Sequence, residues 1–105
     1  MIVIISSKGD TLNSKVDERF GRAAFFIRIE TESMAWQAFE NTAVSNAHGA
    51  GIAAAQFVID QQAEVVLSGD FGPNAANALS AAGLRMETFK ESDLTVEQAV
   101  ADLVK

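Results

Sequence analysis

The chain opens on Ile2-Val3-Ile4-Ile5, an unbroken apolar run closed by Ser6-Ser7. A strand without polar alternation has no face to offer water, so it belongs in the middle of a sheet that is covered on both sides. That requirement points to layers of helices above and below a central sheet. Glu64 to Leu67, with Val65, Val66 and Leu67 at its centre, reads as a second strand of the same kind.

Between them, Phe25 to Thr31 alternates, with Phe25, Ile27 and Ile29 on one face and Arg28 and Glu30 on the other. A short Glu32-Ser33 link and the strand Ala35 to Glu40 complete a predicted hairpin. Ile52 to Gln62 reads as a helix whose Ile52, Ala55 and Ile59 share a stripe. Pro73 suits a first helical position, and Gly83 suits the left-handed position after a helix ending near Ala82. Arg85 to Phe89 is a weak strand. Thr95 with Gln98 spells a capping box before a last helix, whose Val96, Ala99, Val100 and Leu103 face inward.

The order β-β-β-α-β-α-β-α, joined by right-handed crossovers, predicts an α/β fold. Its five-stranded mixed sheet would run 3-2-1-4-5, with strand 2 antiparallel and helices on both faces. Residues 1–105 are expected to make a single domain, a usual size for one core.

This topology has a consequence for the loops. Strands 1, 3 and 4 run the same way, so the segments 8–24, 41–51 and 68–72 all leave from one edge of the sheet. Open α/β sheets bind ligands outside the carboxyl ends of their strands. Two helix N-termini would start at that edge, and free backbone N–H groups there favour an anion. Gly49, Gly51, Gly69 and Gly72 would let backbone approach a ligand closely.

Composition narrows the chemistry. The sequence has no cysteine, which removes disulfides and thiolate ligands for zinc or a conventional iron–sulfur cluster. A net charge of −6 argues against nucleic acid, whose binding needs a basic surface. No apolar stretch reaches membrane-spanning length, and the opening run is too short and lacks the basic start of a signal peptide. A cytoplasmic protein is the expectation.

Each candidate side chain carries two readings. His48, the one histidine, is either a metal ligand just before a helix or a loop residue that caps the helix or faces water. Arg19 and Arg22 either clamp an anion or pair with Asp17 and Glu18. Phe20 reads as a core plug that anchors its loop. Asp10, Asp17 and Asp70 raise the question of two-metal phosphoryl chemistry, and Asp70 just beyond the fourth strand suits it, but Ile2 to Ser6 holds no acidic residue and the helix 52–62 has only Asp60, about two turns from the edge; Asp70 reads as a turn or capping residue. The glycine segments match neither a dinucleotide fingerprint nor a P-loop.

Val16-Asp17-Glu18-Arg19-Phe20-Gly21-Arg22-Ala23-Ala24-Phe25-Phe26 resembles the RFGRA signature of the dinitrogenase iron-molybdenum cofactor biosynthesis family. Glu40-Asn41-Thr42, Ala47-His48-Gly49-Ala50-Gly51 and Gly72-Pro73-Asn74-Ala75 are similar to its later loops, in order and at compatible spacing over roughly residues 1 to 103. That family includes NifX- and NifY-like carriers, the C-terminal domain of NifB and small stand-alone proteins. The resemblance implies a ribonuclease-H-like motif and a non-catalytic carrier of a metal–sulfur cluster. The cargo would be the iron-molybdenum cofactor, its precursor or, as in the related orange protein, a molybdenum–copper sulfide cluster. It implies His48 as metal ligand, Arg19 and Arg22 as charge partners, and Gly49, Ala50, Gly51, Gly69 and Gly72 as backbone around the cluster. A cofactor-assembly or acceptor protein would be the partner. The alternative is a regulatory module that binds a small anion or a protein at the same edge.

Overall fold

The computed structural model describes residues 1–46 and 48–105; Ala47, part of the histidine–glycine segment, lies outside the described residues. Five strands form one sheet: β1 (Ile2–Ser7), β2 (Phe25–Glu30), β3 (Trp36–Glu40), β4 (Val65–Ser68) and β5 (Arg85–Thr88). Their order is β3-β2-β1-β4-β5. β2 pairs antiparallel with both β1 and β3, while β1–β4 and β4–β5 are parallel. The expected topology is the observed one.

Because β1 is central, its side chains feed two cores. Ile4, Phe26 and Val66 point to the face covered by α1 (Ala50–Asp60) and α2 (Pro73–Ala81). Val3, Ile5, Ile27, Ile29, Val65 and Leu67 point to the other face, under α3 (Val96–Leu103) and Val16 from the first loop. Val3, Ile4 and Ile5 are all fully buried, as a strand without alternation requires.

Pro73 opens α2, Gly83 follows its end with φ +82°, and α3 starts with a complete Thr95–Gln98 capping box. One expectation needs correcting. The first helix begins at Ala50 rather than Ile52, and its buried stripe is Ala50, Ala54, Ala55 and Val58. Ile52 is 52% exposed. The helix faces the sheet with small residues, which lets it lie close, and leaves Ile52 at the edge where the loops gather. The loop before it also holds a 3-10 turn over Thr42–Ser45.

At the opposite edge of the sheet, the Glu30 carboxyl is held below its ordinary value. The Glu32 N–H donates to it at 2.9 Å and the Met1 ammonium at 3.2 Å.

Candidate functional site

The strand ends are tied together before the loops begin. Ser6, buried at the end of β1, lies 2.7 Å from the Asp17 carbonyl and 2.8 Å from the Ser68 hydroxyl of β4. The first loop then crosses to the third. Phe20 N donates to the Asp70 carbonyl at 3.1 Å, and Asp70 N donates to the Glu18 carbonyl at 2.7 Å. Gly69 sits against this crossing so tightly that a Cβ there would fall 2.9 Å from Glu18 Cα.

The first loop meets the second just as closely. A Cβ on Gly21 would lie 3.0 Å from Gly51 Cα and N, at the start of α1. Asn41, 4% exposed, binds both loops: its amide donates to the Gly21 and Ala23 carbonyls at 3.2 and 2.9 Å, and its side-chain oxygen accepts from Ala43 N at 3.1 Å. Phe20, 1% exposed, plugs the space beneath, with ring centroids 5.2 Å from Phe26 and 5.4 Å from Phe71.

The helix starts differ in kind. α1 has Gly49 as N-cap (φ +74°) and α2 has Gly72 (φ +75°, ψ 158°), and neither helix has a side-chain cap hydrogen bond. Within α1 the first ladder bond is from Ala53 N to the Gly49 carbonyl, and within α2 from Ala76 N to the Gly72 carbonyl. The amides of Ala50, Gly51, Ile52, Asn74 and Ala75 therefore precede the ladders. The two first turns abut, since a Cβ on Gly51 would lie 3.5 Å from Ala75 Cβ. By contrast α3, on the other face of the sheet, closes its own N-terminus with Thr95 and Gln98. Helix starts without side-chain caps, side by side at the carboxyl edge of a sheet, are places where backbone N–H groups and the helix dipole favour an anion.

The two arginines part company. Arg19 Nε lies 3.3 Å from the buried Asp17 carboxylate, to which Arg19 N also donates at 3.1 Å. Arg22 pairs with neither acid: it donates to the Val44 and Asn46 carbonyls at 2.8 and 2.9 Å. Its partners are neutral, so its charge stays uncompensated within that contact while it holds the loop before α1. Glu18 and Asp70 line a depression of about 230 Å³ on the β4 side, which makes the Arg22–α1 side the more favourable for an anion. Asp70 Oδ1 accepts from Gly72 N at 3.2 Å, a turn role.

His48 is exposed and directly precedes Gly49. Among the described residues, no group of three or more His, Asp or Glu side chains could hold a metal ion. A groove of about 450 Å³ runs between β5 and α3 past Leu67, Phe89, Leu94 and Leu103, away from every residue expected at the site.

All eight expected site residues, Arg19, Arg22, His48, Gly49, Ala50, Gly51, Gly69 and Gly72, lie in the loops and helix starts at this edge. Their roles diverge. Gly69 serves loop packing, Gly49 and Gly72 supply positive-φ caps, and Gly51 sits inside the first turn of α1. Gly21 and the Ser6–Ser68 pair, which sequence reasoning passed over, prove to be structural anchors. Their signal is a packing distance, and it leaves no mark in spacing.

The sequence model of the family described as dinitrogenase iron-molybdenum cofactor matches residues 1–105. The chain belongs to that family. Solved structures agree. The apo form of the orange protein from Desulfovibrio gigas is 38% identical at a TM-score of 0.93, over 98% of this chain and 86% of that one. A putative NifB protein from Thermotoga is 35% identical at a TM-score of 0.84, with the same shares covered. Comparison with curated protein sequences finds no match.

Proposed function

We propose that this edge holds an anionic metal–sulfide cluster as cargo and carries it, without turning it over, to an acceptor protein. The iron-molybdenum cofactor, a precursor of it and a molybdenum–copper sulfide cluster are the candidate cargoes. The observation that carries this reading is the pair of abutting helix starts, α1 and α2, whose N-caps are glycines without a side-chain cap. Amides left by Gly49 and Gly72 have no side chain of their own to satisfy them, so a ligand with exposed sulfides is a suitable acceptor.

The donor set fits a cluster that brings its own sulfur. The chain has no thiol, and one imidazole at His48 would supply a single nitrogen ligand. Arg22 would add positive charge beside α1. Membership of the iron-molybdenum cofactor family supports the cargo class, as does the similarity to an orange protein whose structure is that of an apo form. Val44 and Ile52, 41% and 52% exposed, flank the same loop and would give an acceptor protein apolar contact.

Two variants test the assignment in an anaerobic visible-absorption titration with a molybdenum–iron–sulfur or molybdenum–copper–sulfur cluster. His48→Ala removes one ligand from an exposed loop position, so the fold should stand. Its expected cost is about 1.5–3 kcal/mol, or roughly 10–100-fold in Kd. Gly51→Ala adds a methyl at ordinary contact distance from Ala75, so it should keep stability while narrowing the cleft and weakening binding. Unchanged affinity in both would remove this edge from the binding account. Absence of binding by the unmodified chain with either cluster would favour the small-anion or protein-binding module.

A further inference from the structure

We propose that the outer edge of β3 is a self-pairing surface, through which two copies of this chain join their sheets antiparallel about Ala38. β3 is the terminal strand of the sheet, and its ladder to β2 fixes which groups face out. Glu30 N donates to the Ala35 carbonyl at 2.9 Å and Asn41 N to the Ala24 carbonyl at 3.0 Å. Hydrogen-bonded pairs alternate along an antiparallel ladder, and the register pairs Arg28 with Gln37 and Phe26 with Phe39. Ala35, Gln37, Phe39 and Asn41 therefore turn their backbone groups toward β2. Trp36, Ala38 and Glu40 turn theirs outward.

An outward row of N–H and C=O groups is recognised by another extended strand. A second copy fits because the row is symmetric about its middle residue. With Ala38 opposite its own copy, Trp36 meets Glu40 of the other strand and every outward group of Trp36, Ala38 and Glu40 is paired. A shift of register in either direction leaves one end unmatched. The same register keeps the Glu40 carboxylates apart by roughly four residue rises, about 14 Å. That exceeds the Debye length of about 8 Å at physiological salt.

The side chains agree. Trp36 is 42% exposed, and the first four residues of β3 carry no charge. Trp36 and Ala38 share a sheet face, since they pair with Ile29 and Ile27. In the paired form the indole would lie diagonal to Ala38 of the other copy, within reach of an aromatic ring. The other terminal strand, β5, instead carries Arg85 and Glu87, an ion pair at 2.9 Å, the kind of charge that guards an edge. Antiparallel joining points the two carboxyl edges in opposite directions, so each copy keeps its own site open. A strand of this length buries little beside the roughly 1,200 Å² of a stable complex, so pairing belongs to high micromolar or millimolar protein.

Sedimentation equilibrium of the full chain from micromolar to millimolar concentration, with emission from Trp36, the one tryptophan, tests this. The expected result is a monomer-to-dimer transition with a matching blue shift. Ala38→Pro removes an outward N–H without touching the β2 ladder, and should give a folded monomer throughout. Hydrogen exchange in the unmodified chain reads the register directly: amides of Trp36, Ala38 and Glu40 should gain protection with concentration, while those of Gln37 and Phe39 are protected at all concentrations. A chain monomeric at millimolar concentration would overturn the proposal. So would a dimer that leaves those three amides unprotected, or one that persists in folded Ala38→Pro.

Discussion

Phe20→Ala is expected to lower the unfolding free energy by about 3–5 kcal/mol, the usual cost of emptying a buried phenyl site. Small domains are stable by only about 5–15 kcal/mol, so this one change would remove a large share. The reason is where Phe20 sits. It belongs to a loop by chain position, yet it is 1% exposed and touches Phe26 of β2 and Phe71 beyond β4. Its backbone N–H also closes the first loop onto Asp70. Truncation leaves a cavity lined by residues that cannot collapse without moving a strand. In urea, with a slope of about 1–3 kcal/mol/M, the midpoint should fall by a molar or more. Arg19→Ala, one residue earlier, should shift the same midpoint less, because the Arg19 side chain is 69% exposed and the buried Asp17 carboxylate keeps its 3.1 Å hydrogen bond from the residue-19 backbone N–H. Equal effects of the two changes would mean that the loop is held by charge and not by its aromatic plug.

Gly69→Ala should cost about 1–3 kcal/mol through overpacking alone. The added carbon would fall 2.9 Å from both Cα and O of Glu18. These are backbone atoms, and the Glu18 carbonyl accepts the 2.7 Å bond from Asp70 N, so relief would require parting the first and third loops. For a domain of this size the melting temperature should drop by roughly 5–20 °C. Gly51→Ala is the matched control, since its nearest new neighbour is 3.5 Å away and a methyl replaces glycine within a helix. A Gly69→Ala variant as stable as the unmodified chain would show that the loop seam yields, and with it the close approach of the three loops.

Four glycines that look alike in the sequence thus do three different things, which marks the limit of what could be read there. Fold-level features were legible because each had a local cause. The unbroken Ile2–Ile5 run placed a strand at the centre, alternation in Phe25–Glu30 gave the hairpin, and Pro73, Gly83 and the Thr95–Gln98 box fixed helix ends. Their combination placed three loops at one edge. Ile52 was misread because Gly49 and Gly51 look like loop, while in the fold Gly49 is a left-handed cap and Gly51 is already helical. The partners of Arg22 were beyond reach because they are backbone carbonyls, which every residue has. The same is true of Asn41, whose targets are the carbonyls of Gly21 and Ala23.

The edge was legible from topology, and the helix starts without side-chain caps give it a chemistry. Whether that chemistry meets a metal–sulfide anion there is the central claim. It is tested most directly by amide chemical-shift mapping of isotope-labelled protein titrated anaerobically with tetrathiomolybdate, a diamagnetic molybdenum–sulfide anion. The account predicts saturable shifts in the amides of Ala50, Gly51, Ile52, Asn74 and Ala75, together with the His48 ring. Saturable shifts centred instead on Phe89, Leu94 and Leu103, in the groove between β5 and α3, would contradict it, as would a spectrum that does not change.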